Sequence, residues 1–337
     1  MKTILVTGTA GFIGFHLSRL LIEEGFRVVG VDSMTDYYDV RIKEARHRQL
    51  ASSNAFSAEI FDITEAQRLL DFAAKAEPDV IVHLAAQAGV RYSLENPRAY
   101  IDTNVTGTFN VMEAARELKV DHLLMASTSS VYGANEEMPF TETQKCDTPL
   151  TIYAATKKAN EVMAHSYAHL WNLPTTMFRF FTVYGPWGRP DMALFKFTKG
   201  ILEGKPIDIY NHGQMWRDFT YVEDLVRGIR LLIDAVPERP ESREAIPEWD
   251  SLSPVAPFRI VNIGNSDKVR LEEFIEAIEA EVGKPAVRNY MDMQAGDVPA
   301  TWADASLLRN LTGYAPQTDV REGVKRFVAW YRDYYRC

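Results

Sequence analysis

The chain has 337 residues, of which 46% are hydrophobic and 25% charged, a composition typical of a globular protein with one large or two modest domains. The net charge of −9 argues against a nucleic-acid or anionic-membrane surface, although a few local arginines can still bind an anionic small molecule. The two cysteines, Cys146 and Cys337, have no metal-ligand spacing, and no signal peptide or membrane helix is evident, so a cytoplasmic protein without a metal site is expected.

The first thirty residues place a glycine-rich turn between two apolar strands. Strands are predicted over 2–7 and 27–32, with a helix over 12–24 between them. The first glycine of the turn allows a tight bend, the second lets the backbone approach a pyrophosphate, and the third lets helix and strand pack closely. Asp32 can accept hydrogen bonds from both ribose hydroxyls and would repel a 2′-phosphate. The pattern predicts a site for NAD rather than NADP, in which the glycines are Gly8, Gly11 and Gly14.

Short apolar runs then alternate with segments of helical period. Several of the apolar runs are hydrophobic on both faces, which is typical of a parallel sheet covered by helices on each side. The alternation predicts a doubly wound α/β sheet. Its further strands are predicted over 56–61, 79–85, 121–127 and 175–181, and its helices over 65–76, 98–118 and 153–171.

The pattern loosens after about residue 182, where Gly, Pro, aromatic and basic residues mix. A smaller, discontinuous substrate domain is therefore expected at the carboxyl ends of the strands, where open α/β sheets bind ligands. Residues 237–257 contain five prolines and are predicted to form a surface excursion. Regular elements are predicted at 221–235 (helix), 258–263 (strand) and 271–282 (helix). The predicted domains are 1–182 plus 218–264 for the dinucleotide and 183–217 plus 265–337 for the substrate.

A tyrosine and a lysine lie one helical turn apart at Tyr153 and Lys157. A neighbouring cation favours the phenolate, and lowering a tyrosine pKa from near 10 to near 7 requires about 4 kcal/mol. Such a phenolate is a base for an alcohol proton while hydride leaves the same carbon. The hydroxyl-rich run from Ser127 to Ser130 follows an apolar strand and can hydrogen-bond the reacting oxygen. Alone, each motif is also compatible with a solvated helix surface or loop, and the upstream glycine motif favours the catalytic interpretation.

Together these motifs resemble the extended short-chain dehydrogenase/reductase family, in its branch of nucleotide-sugar epimerases and dehydratases. The resemblance covers nearly the whole chain and includes Asp62-Ile63, His83-Leu-Ala-Ala86, Asn104 and the segment Arg217–Asp224. It implies a Rossmann-type fold, bound NAD, and a homodimer formed through helices 98–118 and 153–171. The cofactor-binding residues that it implies are Gly8, Gly11, Phe12, Ile13, Gly14, Asp32, Asp62, Ile63, Leu84, Ala85, Ala86, Asn104, Tyr153 and Lys157.

Three segments, 36–40, 88–93 and 184–192, are similar to the UDP-glucuronate 4-epimerases within that branch. This similarity implies that Arg189 binds the sugar carboxylate, although a solvated loop arginine is the alternative. By the wider resemblance, Arg217 pairs with the diphosphate and Tyr210 lies against uracil. The implied catalytic residues are Tyr153, Lys157 and Thr128, and the implied substrate-binding residues are Thr128, Ser129, Ser130, Thr182, Arg189, Tyr210, Arg217 and Arg91.

Departures from related enzymes narrow the expected reaction. Glucose epimerases commonly carry Asn at Thr182 and Arg at Gln294, so more of the diphosphate charge is expected to fall on Arg217. Decarboxylases carry Glu at Ser130, and dehydratases carry an Asp-Glu pair at Ser129 and Ser130. The expected function is NAD-dependent inversion of C4 of UDP-glucuronate to give UDP-galacturonate, through a 4-keto sugar. The alternatives are a UDP-glucose 4-epimerase, a UDP-glucuronate decarboxylase, and a catalytically inactive NAD-binding regulatory protein.

Overall fold

A computed structural model describes residues 1–294 and 296–337. The strands of this part of the chain are β1 Thr3–Thr7, β2 Arg27–Asp32, β3 Phe56–Ile60, β4 Val80–His83, β5 His122–Thr128, β6 Thr175–Phe180, β7 Thr182–Tyr184, β8 Pro206–Ile209, β9 Trp216–Arg217, β10 Phe219–Tyr221, β11 Phe258–Ile263, β12 Val269–Arg270, β13 Val287–Tyr290 and β14 Ala300–Thr301. Seven of them form a parallel sheet in the order β11-β6-β5-β4-β1-β2-β3, which confirms the doubly wound fold and all seven predicted strands.

Helices cover both faces of this sheet and build the region beyond its strand ends. They are α1 Phe12–Glu23, α2 Val40–Ala51, α3 Ala66–Ala76, α4 Tyr92–Glu95, α5 Pro97–Tyr100, α6 Thr108–Leu118, α7 Ile152–Trp171, α8 Ala193–Glu203, α9 Val222–Asp234, α10 Leu271–Val282, α11 Ser306–Thr312 and α12 Val320–Tyr335. Every helix in the described part of the chain is too short or too polar to cross a membrane.

Alternating side chains of the buried strands supply a separate core on each face of the sheet. Ile4 and Val6 of β1 belong to the core that includes α1 and α9, whereas Leu5 belongs to the core that includes α3 and α6. This alternation follows from the two-residue repeat of a strand. A third core joins α8, α10 and α12 to the short strands, with the rings of Phe219 and Phe274 stacked at 4.0 Å.

Two features differ from the sequence prediction. The segment predicted as one helix over 98–118 is a short helix α5, a π-helical turn over Ile101–Gly107, and then α6. Helices α2, α4, α8, α11 and α12 were not predicted. Helix α2, for example, is mostly polar, and Ile42 and Leu50 are its buried apolar side chains. The excursion at 237–257 is largely exposed, as expected. The division into two domains remains a prediction. Helix α11 falls in the range predicted for the substrate domain, but its Leu307 and Leu308 pack into the core of the sheet.

Candidate active site

A cavity of about 1330 Å³ lies at the carboxyl ends of the parallel strands. Every residue predicted for the site lines this cavity except Asn104. The lining residues from that set are Gly8, Gly11, Phe12, Ile13, Gly14, Asp32, Asp62, Ile63, Leu84, Ala85, Ala86, Arg91, Thr128, Ser129, Ser130, Tyr153, Lys157, Thr182, Arg189, Tyr210 and Arg217. Segments that are far apart in sequence therefore meet in one site, and their individual roles remain predictions.

The glycine turn after β1 is too tightly packed for larger residues. Gly8 has φ +79°, and a Cβ there would lie 2.9 Å from the backbone nitrogen of Ala85. A Cβ on Gly14 would overlap the carbonyl oxygen of Gly8. Gly11 precedes α1 and provides no side-chain cap, so the first backbone N–H groups of the helix have no side-chain acceptor from this residue. Such a helix start fits a pyrophosphate group.

Asp32 is held at the end of β2, beside the glycine turn. Its Oδ2 accepts a hydrogen bond from the backbone N–H of Ala10 at 2.9 Å, and its Oδ1 accepts one from Met34 at 2.9 Å. Lys43, which was not predicted as a site residue, also lines the cavity and donates from Nζ to the carbonyl oxygen of Thr35 at 2.6 Å. Burial lowers the pKa of Lys43, and the nearby Asp32 partly opposes that effect. The contact of Asp32 with the ribose hydroxyls remains a prediction.

The predicted adenine side of the site follows β3. The Asp62 carboxylate accepts hydrogen bonds from the backbone N–H and the hydroxyl of Thr64, both at 2.8 Å. Ile63 is buried, and its carbonyl oxygen accepts a hydrogen bond from the Asn110 amide at 3.0 Å. The Thr7 hydroxyl accepts from the backbone N–H groups of Leu84 and Ala85, at 3.1 and 3.0 Å. These contacts fix the backbone that forms this wall.

Asn104 lies in the π-helical turn and is fully buried behind the cavity wall. Its Oδ1 accepts from the backbone N–H of Gln87 at 2.8 Å, and its Nδ2 donates to the Gln87 carbonyl oxygen at 3.0 Å. The same Nδ2 donates to the Thr156 hydroxyl at 3.2 Å. Asn104 thus joins the loop after β4 to helix α7, and its predicted contribution to cofactor binding is indirect in this geometry.

Tyr153 and Lys157 lie in the first turns of α7, which Thr151 caps by accepting from the backbone N–H of Ala154 at 3.2 Å. The Lys157 Nζ donates to the carbonyl oxygen of Ala126 at 2.9 Å, and burial lowers the pKa of Lys157 to about 8. Burial raises the pKa of Tyr153, and the hydrogen bond with Thr128 and the charge of Arg189 oppose this only in part. The pKa shift of the tyrosine is therefore opposite to the direction expected from the motif, because desolvation of the phenolate outweighs the stabilising contacts.

A buried ion pair supports the end of β5 behind the hydroxyl run. The Ser127 hydroxyl donates to Glu161 Oε1 at 2.7 Å. Arg179 binds both oxygens of Glu161, each at 2.9 Å, and its guanidinium lies 4.7 Å from the ring centre of Tyr132. Thr128 accepts a hydrogen bond from the backbone N–H of Ser130 at 3.2 Å. The hydroxyls predicted to hydrogen-bond the reacting oxygen are consequently attached to a rigid support.

Arg189 enters the cavity already paired with a carboxylate. Its Nε and Nη2 donate to the two oxygens of Asp191 at 3.0 and 2.5 Å. The Tyr37 hydroxyl donates to the same carboxylate at 3.3 Å. Asp191 and Tyr37 were not predicted as site residues, although both lie in segments that carried the family resemblance. An arginine fixed in this way is not a solvated loop residue.

A second group of charges lies farther along the cavity. Arg217 donates from Nη2 to the Val298 carbonyl oxygen at 2.8 Å, and burial lowers the pKa of Arg217 while Asp297 opposes that effect. Arg91 pairs with Asp297 at 3.3 Å, and its guanidinium lies 4.5 Å from the ring centre of Tyr210. Two cations and an aromatic ring thus form one wall, an arrangement that suits a nucleoside diphosphate.

The cavity as a whole combines a dinucleotide-type glycine turn, the phenol of Tyr153 with the hydroxyl of Thr128 beside it, the amine of Lys157, and two arginine-containing regions. These groups can exchange a proton with an alcohol while a dinucleotide exchanges hydride with the same carbon, and they can bind an anionic ligand during that reaction. The positive charge of Arg189 lowers the pKa of Tyr153 and so partly opposes the effect of burial. The cavity therefore brings together the groups that proton and hydride exchange at an alcohol carbon require.

Known proteins resemble this chain over almost its full length. A probable UDP-glucuronate 4-epimerase of Rhizobium meliloti (strain 1021) is 58% identical over 335 residues, covering 98% of this chain and 97% of that protein. UDP-glucuronate 4-epimerase 1 of Arabidopsis thaliana is 43% identical, covering 99% of this chain and 77% of that protein. The crystal structure of UDP-glucuronic acid 4-epimerase from Bacillus cereus with UDP-glucuronic acid and NAD has a TM-score of 0.86 at 32% identity, covering 99% of this chain and 100% of that one.

The model of one protein family matches residues 4–245. This range contains the glycine turn, Asp32, the hydroxyl run, Tyr153, Lys157, Arg189 and Arg217. The chain belongs to the NAD dependent epimerase/dehydratase family.

Proposed function

We propose that this protein is a UDP-glucuronate 4-epimerase, which uses bound NAD to interconvert UDP-glucuronate and UDP-galacturonate. The observation that carries the proposal is that Arg189 lies in one cavity with Tyr153, Thr128 and the glycine turn. A cation close to the phenol suits a sugar whose C5 carries a carboxylate. The relatives named above, one of them bound to UDP-glucuronic acid and NAD, support the same reaction.

Tyr153 is the proposed base. It removes the proton of the C4 hydroxyl, while Thr128 hydrogen-bonds the reacting oxygen. Lys157 lies one helical turn after Tyr153 on α7. Bound NAD supplies a hydride acceptor that later returns the hydride, so that no external redox partner is required. The 4-keto sugar turns its other face toward the site, and Tyr153 then returns the proton to the oxygen. The configuration at C4 is thereby inverted.

Arg189 is the proposed partner of the sugar carboxylate. The 4-keto form of a glucuronate is a β-keto acid, which loses carbon dioxide when its carboxyl bond aligns with the ketone π system. Nε and Nη2 of Arg189 already donate to Asp191, so the sugar carboxylate binds on the Nη1 side of the guanidinium. A fixed guanidinium keeps the carboxyl bond out of alignment with the ketone π system and so prevents loss of carbon dioxide. Ser129 and Ser130 provide hydroxyls there and no acid, which favours epimerisation over decarboxylation.

We also propose that the protein is a cytoplasmic homodimer. The observation that supports the dimer is that the predicted interface helices carry exposed apolar side chains. Phe109 is 44% exposed and Val162 is 56% exposed. Exposed apolar residues grouped on neighbouring helices are typical of a subunit interface. Light scattering on the purified protein tests whether it is a dimer, and the Val162→Glu variant is expected to dissociate. A variant that stays fully dimeric would show that the interface does not include Val162.

The function is tested by following the purified protein by NMR with UDP-glucuronate and, separately, with UDP-glucose. The expected product of the first reaction is UDP-galacturonate with little UDP-pentose, and UDP-glucose is expected to react slowly. A neutral CH₂OH group would leave Arg189 without a second partner, which accounts for the expected preference. Mainly UDP-xylose from the first reaction, or faster turnover of UDP-glucose, would exclude the uronate epimerase while keeping the fold and the cofactor.

A further inference from the structure

Arg46 of α2 is a completely buried cation, with a relative exposure of 0%. Its Nη1 donates to the carbonyl oxygen of Ala10, inside the glycine turn, at 2.9 Å. The same Nη1 donates to the Tyr38 hydroxyl at 2.9 Å. Its Nη2 donates to the carbonyl oxygen of Trp187 at 2.5 Å, which lies 141 residues away in the sequence. One guanidinium therefore joins the glycine turn to the loop before Arg189.

This loop, Gly185–Gly188, has an unusual backbone that requires external support. Gly185 has φ +140°, and Trp187 has φ +60°, a conformation that L residues with large side chains rarely adopt. The three successive carbonyl oxygens of residues 186–188 all accept hydrogen bonds from buried side chains. Arg46 supplies the bonds to Trp187 and Gly188, the second at 3.4 Å.

The remaining carbonyl of the loop is held by His16, in helix α1 directly after the glycine turn. The His16 Nε2 lies 2.8 Å from the carbonyl oxygen of Pro186. Burial lowers the pKa of His16 to about 3, so the ring is neutral at physiological pH and donates through Nε2–H. The rings of Phe12 and Phe15 pack edge-on against it, with centroids at 5.6 and 5.1 Å. The loop is thus fixed from two helices of the dinucleotide-binding half.

We infer that Arg46, together with His16, is a positioning residue that holds Arg189 at a fixed distance from the glycine turn. The sugar carboxylate and the bound dinucleotide are then held in one frame, so that C4 stays aligned with the hydride acceptor. This inference rests on the proposed binding of the uronate carboxylate by Arg189. Only a guanidinium reaches both Ala10 and Trp187 at once, because its nitrogens form a rigid fork, whereas a lysine ammonium is a single point.

The test compares Arg46→Met and Arg46→Lys with Arg48→Met, a matched control on the same helix whose side chain is 69% exposed. All assays contain saturating NAD, so that loss of bound cofactor does not affect the comparison. We expect both Arg46 variants to raise KM for UDP-glucuronate by about tenfold or more, since a displaced Arg189 loses its charge-assisted contact with the sugar carboxylate. The affinity for UDP, measured by calorimetry, should change less than twofold, and the fraction of UDP-pentose formed should rise. Arg48→Met should match wild type in all three measurements.

A double-mutant cycle separates a positioning role from a general structural one. If Arg46 acts through Arg189, adding Arg46→Met to Arg189→Ala raises KM for UDP-glucuronate by less than twofold. The inference is overturned if the two substitutions raise KM independently, so that their effects multiply. It is also overturned if Arg46→Met leaves KM unchanged, or if it lowers the affinity for UDP as much as it raises KM for UDP-glucuronate. If Arg46→Met does not fold, His16→Phe removes the bond to Pro186 in the same place and is read by the same criteria. A wild-type protein that does not convert UDP-glucuronate at all would instead refute the proposed function.

Discussion

Arg189 and Asp191 form a bidentate ion pair inside the cavity, with Nε–Oδ1 at 3.0 Å and Nη2–Oδ2 at 2.5 Å. Their side chains are only 19% and 25% exposed, so solvent screens the pair weakly. The charge of Arg189 is therefore largely neutralised by the protein itself. A substrate carboxylate that binds Arg189 has to share the guanidinium with Asp191. The site therefore binds the uronate less tightly than it would if Arg189 had no partner within the protein.

Replacing Asp191 by Asn should strengthen uronate binding. The amide still accepts a hydrogen bond from Arg189 but carries no charge to repel the substrate carboxylate. We expect the Kd for UDP-glucuronate to fall by about three- to tenfold, the range of a partly exposed charge interaction of about 1 kcal/mol. Calorimetry in a Tyr153→Phe background prevents turnover during the measurement. The affinity for UDP-glucose is the control, and an equal gain for both sugars would contradict the charge argument.

Replacing Arg189 by Ala should weaken binding selectively. KM for UDP-glucuronate is expected to rise by about tenfold or more, since a charge-assisted contact is worth about 1.5–3 kcal/mol. The effect on UDP-glucose turnover should be smaller, because its CH₂OH group has no charge. Some UDP-pentose should form, since the released carboxylate can rotate into alignment with the 4-ketone. Product analysis by NMR that finds no change in KM and no pentose would remove Arg189 from the sugar site.

Replacing Tyr153 by Phe should leave the fold and the bound NAD intact but lower turnover by at least about a hundredfold, the lower end for loss of a general base. The wild-type rate should also rise with pH from 6 to 8. Burial raises the pKa of Tyr153, so its phenol is mostly protonated between pH 6 and 8. The fraction of phenolate therefore increases with pH throughout this range. Turnover and bound NAD are measured on the same sample. A variant with near-normal turnover would show that another group is the base.

Replacing Arg217 by Ala should weaken UDP binding by about tenfold to a hundredfold, because a cation beside the diphosphate is lost. The hydrogen bond to the carbonyl oxygen of Val298 is lost too, which loosens the adjoining wall of the cavity. Arg91→Ala is the comparison, since Arg91 is the other cation of this wall and pairs with Asp297. If calorimetry finds UDP affinity unchanged in the first variant and reduced in the second, the diphosphate lies at Arg91.

Replacing His83 by Gln should reduce the pH dependence of stability. His83 lies between the hydroxyls of Thr7 and Thr108, at 2.7 and 2.9 Å, and burial lowers its pKa from 6.5 to about 3. Between those values the unfolded chain binds a proton that the folded chain does not, so stability rises with pH by about 1.4 kcal/mol per pH unit. Urea unfolding at pH 4.5 and 6 should show a slope smaller by this amount. His212→Gln, at an exposed position, is the matched control.

The local pattern of the sequence was enough to predict the parallel sheet and the dinucleotide turn. Most of the seven strands were located because continuous apolar runs are typical of strands whose two faces are both covered. Gly8, Gly11 and Gly14 act within seven residues of chain, and Tyr153 and Lys157 share one helix, so spacing alone reports their geometry. Helices α8 and α12 were missed because several distant segments contribute to the core that buries them.

The pairing and the electrostatics of the site were decided only by the tertiary structure. The contact of Arg46 with Trp187 spans 141 residues, and no local pattern records a contact at that distance. The pKa of Tyr153 depends on how deeply its ring is buried, and burial reverses the direction that the neighbouring lysine suggested. The sequence by itself thus determined which chemical groups are present and in which elements they lie. Folding decided which of them are neutralised, desolvated or held by distant residues, because those properties depend on atoms that come together only in three dimensions.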